Sequence, residues 1–241
     1  MASRGRASPD HPDSRGRASP DHPGNGRGTG SSTARAAVLG RIRAATRTEA
    51  AQPMTVPRDY ATRSPLAGPA VTDRFAERVA EYRASVHRIA PGEVAERVVV
   101  LARERSARRI VVAPGVPEDW RPDGIELVAD RSLAPSVLDG IDGVLSGCAL
   151  AIAETGTIVL DGTARSGRRA LTLVPDWHAC VVSADQVVGS VPEAIAGLRE
   201  AATAGRPLTF VSGPSATSDI ELRRVEGVHG PRRLDVLLVE G

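Results

Sequence analysis

The 241-residue chain has no lysine, so all 31 of its basic residues are arginine. That absence excludes a Schiff-base lysine, a lysine general base and the lysine of a phosphate-binding P-loop. Aromatic residues make up only 2% of the chain, too few to build the ring platforms on which single-stranded nucleic acids stack. There are two cysteines, Cys148 and Cys180, too few for a disulfide scaffold, a four-cysteine zinc site or an iron–sulfur cluster. No charge-free run approaches the roughly 18 apolar residues of a membrane helix. What is there is ordinary for a soluble globular protein: 41% hydrophobic and 25% charged residues. The expectation is a cytoplasmic α/β protein with no membrane span.

The net charge of +2 hides an asymmetry. Residues 1–48 hold nine arginines and three aspartates, whereas the remainder is mildly acidic. The basic balance therefore comes from the N-terminus, and the body of the protein carries no footprint for a polyanion such as nucleic acid. Between Met1 and Val38 there is no Val, Ile, Leu, Phe or Trp. A decapeptide, Ser3 to Pro12, recurs unchanged at Ser14 to Pro23. With no apolar surface to offset the entropy of ordering, residues 1–33 are expected to be a disordered tail. The glycine-rich run from Gly24 to Gly30 lacks the preceding strand of a dinucleotide loop and reads as a linker.

Residues 34–69 read as an N-terminal helix (Ala34–Thr48) and a proline-bearing connection, and residues 70–241 as the main domain. Val71, Phe75, Val79, Tyr82 and Val86 recur at helical spacing, and a second helix is expected from Glu93 to Ala107. The pattern then changes to short apolar runs at 109–113, 125–129, 149–153, 157–160, 170–174, 179–183, 208–211 and 234–239, with helices at 134–139 and 191–204. Several of these runs are apolar without alternation, as in strands covered on both faces. The predicted fold is α/β: a mixed, largely parallel sheet with helices on both faces. Thr157–Leu160 and Ala170–Val174 flank a turn-rich segment and predict an antiparallel hairpin near 157–174 with a basic tip. Arg165, Arg168 and Arg169 at that tip are either solvated or an anion site.

Three glycine-bearing segments lie at strand ends, where open α/β sheets place ligand groups. Ala153-Glu-Thr-Gly-Thr157 sets a carboxylate, Glu154, beside the hydroxyls of Thr155 and Thr157 with Gly156 between them. Ser212-Gly-Pro-Ser-Ala-Thr-Ser-Asp219 offers Gly213, Pro214, Ser215, Thr217 and Asp219, with Glu221 just beyond. Its hydroxyls and amides suit a small anion such as a phosphate or carboxylate. Glu226-Gly-Val-His-Gly-Pro231 supplies His229 and Gly230. Each segment also has a plainer reading, as turn glycines, helix caps and a hydrogen-bonded histidine. Asp219, Glu221 and His229 match no metal-ligand spacing, so no metal is assigned. No Gly-x-Ser-x-Gly elbow supports a serine nucleophile. Cys180 follows Trp177-His178 closely enough to suggest a Cys–His pair, but it sits in an apolar strand and reads as a buried cysteine.

The stretches Ala151-Ile-Ala-Glu-Thr-Gly-Thr-Ile-Val-Leu160, Leu173-Val-Pro-Asp176, Gly213-Pro-Ser-Ala-Thr-Ser-Asp-Ile-Glu221 and Gly227-Val-His-Gly-Pro231, in that order, resemble the lactate-utilisation (LUD) domain family. Leu39-Gly-Arg-Ile-Arg43 and Arg78-Val-Ala-Glu-Tyr82 resemble its N-terminal portion, so the similarity covers roughly Ala36 to Glu240. The resemblance implies a fold like that of the glucosamine-phosphate isomerase, ribose-phosphate isomerase and CoA-transferase group. It further implies a part in bacterial oxidation of L-lactate to pyruvate, alongside iron–sulfur partner proteins of the same operon. With two isolated cysteines and no flavin or nicotinamide fingerprint, this chain is expected to hold no cofactor and to act as a non-redox subunit that binds a small anion or a partner. The alternative is a CoA-transferase- or isomerase-like enzyme. Glu154 in Ala-Glu-Thr-Gly is similar to the catalytic glutamate in the Ser-Glu-Asn-Gly stretch of some CoA-transferases, departing from it at Thr155. Under either reading, Glu154, Thr155 and Thr157 are expected to face the Gly213–Asp219 loop and His229.

Overall fold

The computed structural model describes residues 30–46, 56–217, 225–227 and 229–241. The chain divides into two units, residues 1–58 and 59–241. In the first, α1 runs from Gly30 to Ala45, and Val38, Leu39 and Ile42 on it are exposed. Most of the tail expected over 1–33 lies outside the described residues.

The second unit begins with α2 (Pro69–Glu81), β1 (Ser85–Ile89), α3 (Val94–Glu104), β2 (Arg109–Val112), β3 (Glu126–Ala129) and α4 (Pro135–Leu138). Then come β4 (Gly143–Gly147), β5 (Leu150–Ile152), β6 (Thr157–Leu160), β7 (Trp177–Ser183) and β8 (Val187–Val188). It ends with α5 (Val191–Gly197), α6 (Arg199–Thr203), β9 (Thr209–Val211), β10 (Ala216–Thr217), β11 (Val225–Glu226) and β12 (Arg233–Val239).

Six strands form a wholly parallel sheet in the order β1-β12-β7-β4-β2-β3. A smaller mixed sheet has the order β8-β5-β6-β9, and β10 pairs antiparallel with β11. Strands β4, β5 and β6 are buried along their whole length, which explains their apolar runs. The period-2 geometry of β7 and β12 sorts their side chains between two cores. Ala179, Val181 and Leu237 pack with Val94, Val98 and Leu101 of α3 on one face. Cys180, Val182, Val236 and Leu238 pack on the other with Phe75 and Val79 of α2 and with Ala151, Ile158 and Leu160 of the small sheet. The outer face of the small sheet, through Leu150, Ile152 and Val159, covers Ala194 and Leu198 at α5. Helices thus lie on both faces of the parallel sheet, as the sequence predicts.

Several local expectations need correction. The antiparallel hairpin is β5–β6, closed by residues 153–156, not a pairing of 157–160 with 170–174. Residues 170–174 form hydrogen-bonded turns, with the Val174 amide donating to the Ala170 carbonyl at 3.1 Å. The apolar content of 170–174 comes instead from packing beneath the main sheet, where Leu171 is fully buried. Val86 belongs to β1 rather than to the preceding helix, because the chain leaves helical geometry at Arg83, where φ is 66°. The single helix expected over 191–204 is two short ones.

Candidate functional site

The loop after β9 is fixed by two close approaches. Gly213 has φ 86° and presses on Tyr82, so that a Cβ there would lie 2.6 Å from the Tyr82 Cβ. Beyond it the segments 212–216 and 227–231 are tied together. The Ser215 amide donates to the Pro231 carbonyl at 2.8 Å, the Gly227 amide to the Ser215 carbonyl at 2.9 Å, and the His229 amide to Ser215 Oγ at 3.0 Å. This brings two of the three predicted segments into one wall.

The opposite side comes from the turn at 169–172 and from β7. Arg169 Nη1 donates to the carbonyl and hydroxyl oxygens of Thr172 at 2.9 and 3.2 Å, and Nη2 to the His229 carbonyl at 3.2 Å. These three contacts leave at least two of its five N–H groups available. Among the described residues no carboxylate pairs with Arg169. Desolvation lowers its pKa, the direction expected where a cation loses water without gaining a counter-charge. The other arginines of the same loop are engaged elsewhere: Arg165 lies over the Trp120 ring at 5.1 Å, and Arg168 makes a two-point pair with Asp130 at 2.7 and 2.9 Å. Those bonds from Arg168 hold the Asp130 carboxyl below its ordinary range.

His178 is buried where β7 leaves the cavity wall, with Nε2 2.8 Å from Ser146 Oγ on β4. Ser146 spends its single hydroxyl proton on the Gly147 carbonyl at 3.0 Å. The imidazole is therefore the donor in the Ser146 contact, and in its neutral form Nδ1 is the acceptor.

Together Arg169, Thr172, His178, Ser212, Ser215 and His229, with Phe210 and Leu234 as apolar surface, line a cavity of about 240 Å³. Gly213, Pro214 and Gly230 also line it. The third predicted segment meets it only from behind. Thr157 Oγ1 is 2.7 Å from Ser212 Oγ and 2.7 Å from Thr155 Oγ1, a three-hydroxyl chain that stops at Thr155. Gly156, with φ 59°, seats the turn against the backbone of α2. Glu154 is exposed and turned toward α5, where its Oε2 accepts from the Val191 amide at 3.3 Å. Thr217 lies in β10, paired with Val225. Asp219 and Glu221 lie outside the described residues, and among those described no three His, Cys, Asp or Glu side chains are grouped to hold a metal. Sequence reasoning missed Thr172 and Phe210 as site residues; it offered Arg169 as an anion site only together with Arg165 and Arg168, and weighed His178 only as a partner of Cys180.

Known proteins are similar to this chain over most of its length. The LUD domain model matches residues 72–239. "Lactate utilization protein C" of Deinococcus radiodurans is 44% identical over 206 residues, 83% of this chain and 92% of that protein. "Lactate utilization protein C 1" of Bacillus mycoides is 35% identical over 95 residues, 38% of this chain and 40% of that protein. A crystal structure of a DUF162 family protein from Deinococcus radiodurans superposes with a TM-score of 0.64 at 38% identity, covering 73% of this chain and all of that one. No helix among the described residues is long and apolar enough to cross a membrane.

Proposed function

The chain belongs to the LUD domain family, and from that membership we propose that it serves lactate utilisation as a cytoplasmic subunit without redox chemistry of its own, binding a small carboxylate and acting with iron–sulfur partner proteins. The carrying observation is Arg169: a guanidinium at the rim of a small cavity, held by neutral oxygens and lacking a carboxylate partner among the described residues. A planar fork of N–H donors matches a carboxylate in geometry as well as charge. The cavity, at about 240 Å³, lies below the roughly 300–1,000 Å³ typical of drug-sized ligands and suits a short organic acid. Ser212 and Ser215 supply hydroxyls for a hydroxy or oxo group beside the carboxylate, and Phe210 offers apolar surface for a methyl group.

Electron transfer is assigned to partners because the two cysteines of the sequence fall short of the four thiolates of common clusters. The group-transfer alternative through Glu154 gains no support from the geometry, since that carboxylate faces the start of α5 and not the cavity.

Calorimetric titration of the purified chain with L-lactate and with pyruvate tests the ligand. Saturable binding that Arg169→Ala weakens at least tenfold is expected, and its absence for both acids would remove the carboxylate site. Affinity purification from cells growing on lactate tests the assembly, with cluster-bearing proteins expected in the eluate. A purified single chain that oxidised lactate unaided would overturn the non-redox role.

A further inference from the structure

The carboxylate reading leaves the hydroxyls of Thr155 and Thr157 without a task, although they meet the cavity from behind. The antiparallel register of β6 with β9 pairs Ile158 with Val211, so Thr157 and Ser212 fall opposite each other one residue further along. Their hydroxyl oxygens are 2.7 Å apart, and Thr157 Oγ1 is also 2.7 Å from Thr155 Oγ1 across the turn at Gly156. Thr157 is 4% exposed, whereas Ser212 is exposed at the cavity wall. The buried hydroxyl therefore takes its orientation from protein neighbours and not from water. One further acceptor, the Thr155 carbonyl, lies 3.4 Å from Thr157 Oγ1. That is long for an O–H···O bond, whose usual range ends at about 3.0 Å. The Thr157 proton accordingly lies within the row of hydroxyls.

Such a row has two arrangements. With the protons running from Thr155 to Thr157 to Ser212, Ser212 accepts from Thr157 and keeps its own proton to donate into the cavity. With the order reversed, Ser212 donates to Thr157 and presents a lone pair instead. Hydroxyls in a chain polarise one another, so either arrangement strengthens the group that faces the ligand. Ser215 is held differently, by the His229 amide at 3.0 Å. An oxygen on the carbon next to a carboxylate accepts a hydrogen bond whether it is a carbonyl or a hydroxyl, and as a hydroxyl it also donates one. Ser212 backed by Thr157 can answer both.

We propose that Thr157 is a positioning residue that sets the specificity of the cavity, orienting the Ser212 hydroxyl toward an oxygen on the carbon next to the bound carboxylate. This inference rests on the carboxylate reading and adds a ligand class to it: short 2-hydroxy and 2-oxo acids, in preference to unsubstituted acids of the same size. It also gives the Thr-Gly-Thr sequence a reason. Gly156, in the left-handed region at φ 59°, closes the turn that brings the two threonine hydroxyls together.

Calorimetric titration of the purified full chain with L-lactate, pyruvate and propanoate tests the proposal. Propanoate has the carboxylate and the methyl group but no oxygen between them. The unmodified chain is expected to bind both oxygenated acids about fivefold more tightly than propanoate, the worth of one net hydrogen bond. Thr157→Val keeps nearly the shape of the side chain and removes the hydroxyl. It is expected to weaken L-lactate and pyruvate while leaving propanoate unchanged, and Thr157→Ser is expected to restore the preference. Ser212→Ala, at an exposed position that does not threaten the fold, is expected to remove the preference. Adding Thr157→Val to it should change nothing more, because Thr157 acts through Ser212. Equal binding of the three acids by the unmodified chain, a preference that survives Ser212→Ala, an equal loss for propanoate in Thr157→Val, or additive losses in the double variant would each overturn the inference and leave the carboxylate site standing. Failure of all three acids to bind would remove the carboxylate site itself, and this inference with it.

Discussion

The carboxylate of Asp235, wholly buried in the middle of the parallel sheet, is gripped by the guanidinium of Arg105, with Nε 3.0 Å from Oδ2 and Nη2 2.8 and 2.9 Å from Oδ2 and Oδ1. His87 Nε2 at 2.9 Å and Trp177 Nε1 at 2.8 Å complete its shell. One residue of β12 thereby joins β1, α3 and β7. Removing one partner of such a buried pair leaves the other charge uncompensated, at a cost of about 3 kcal/mol. Asp235→Asn is expected to lower the urea unfolding free energy by roughly that amount, and an unchanged midpoint would show that the network adds nothing.

The same residue sets the acid response. Burial alone would raise the Asp235 carboxyl, but the bonds from His87, Arg105 and Trp177 outweigh it and hold the group below its ordinary value. Asp161 behaves likewise, burial being outweighed by the bonds from Thr163 and Ser166. A carboxyl lowered by folding contributes stability that is complete above the unfolded value, about 3.9, and is lost as pH falls through the folded value. The unfolding midpoint is therefore expected to drop steeply below about pH 4. The drop should be shallower in Asp235→Asn, and parallel pH profiles of the two proteins would contradict this account.

Four of the six parallel strands, β2, β3, β7 and β12, were legible because each carries a short apolar run, and the glycine–hydroxyl loops because their residue types are unusual at strand ends. Two kinds of feature were not. Strand β4, Gly-Val-Leu-Ser-Gly, is absent from the expected strands because glycines bound its short apolar run, yet Gly143 is required beneath the Trp177 ring, where a Cβ would come within 2.5 Å of a ring carbon. Strand β1 was hidden because Val86 continued a helical spacing across a backbone break that only Arg83's positive φ reveals. In the site, the sequence offers Arg165, Arg168 and Arg169 as equals. Only the long-range partners, Trp120 for Arg165 and Asp130 for Arg168, separate those two from Arg169, whose hydrogen bonds go to neutral oxygens at the cavity. Glu154 shows the opposite limit: its motif suggests chemistry, and a contact with a residue 37 positions away gives it a capping role.

Gly156 carries a steric prediction. With φ 59° it lies so close to α2 that a Cβ would stand 2.6 Å from the Arg78 carbonyl carbon and the Val79 amide nitrogen. Neither contact belongs to a side chain able to swing aside. Gly156→Ala combines backbone strain with overpacking and is expected to destabilise the fold by about 2 kcal/mol. Thermal unfolding at matched concentration checks it, and a neutral result would mean that the hairpin turn is free to lift from the helix.

Arg169 and Glu154 give opposite outcomes in one experiment. Arg169→Gln removes the charge that the cavity presents to an anion while keeping a side chain able to donate to Thr172 and His229. It is expected to abolish growth on lactate with little loss of stability. Glu154→Gln keeps an oxygen able to accept from the Val191 amide and loses only a partial-charge interaction at the start of α5, worth about 0.5 kcal/mol. Growth on lactate is expected to be unchanged. A nucleophilic glutamate would behave otherwise, since an amide cannot form the anhydride on which group transfer depends. Loss of growth in Glu154→Gln with an intact unfolding midpoint would thus move the chemistry from the Arg169 cavity to the β5–β6 turn, and the converse result would leave the turn with its capping role alone.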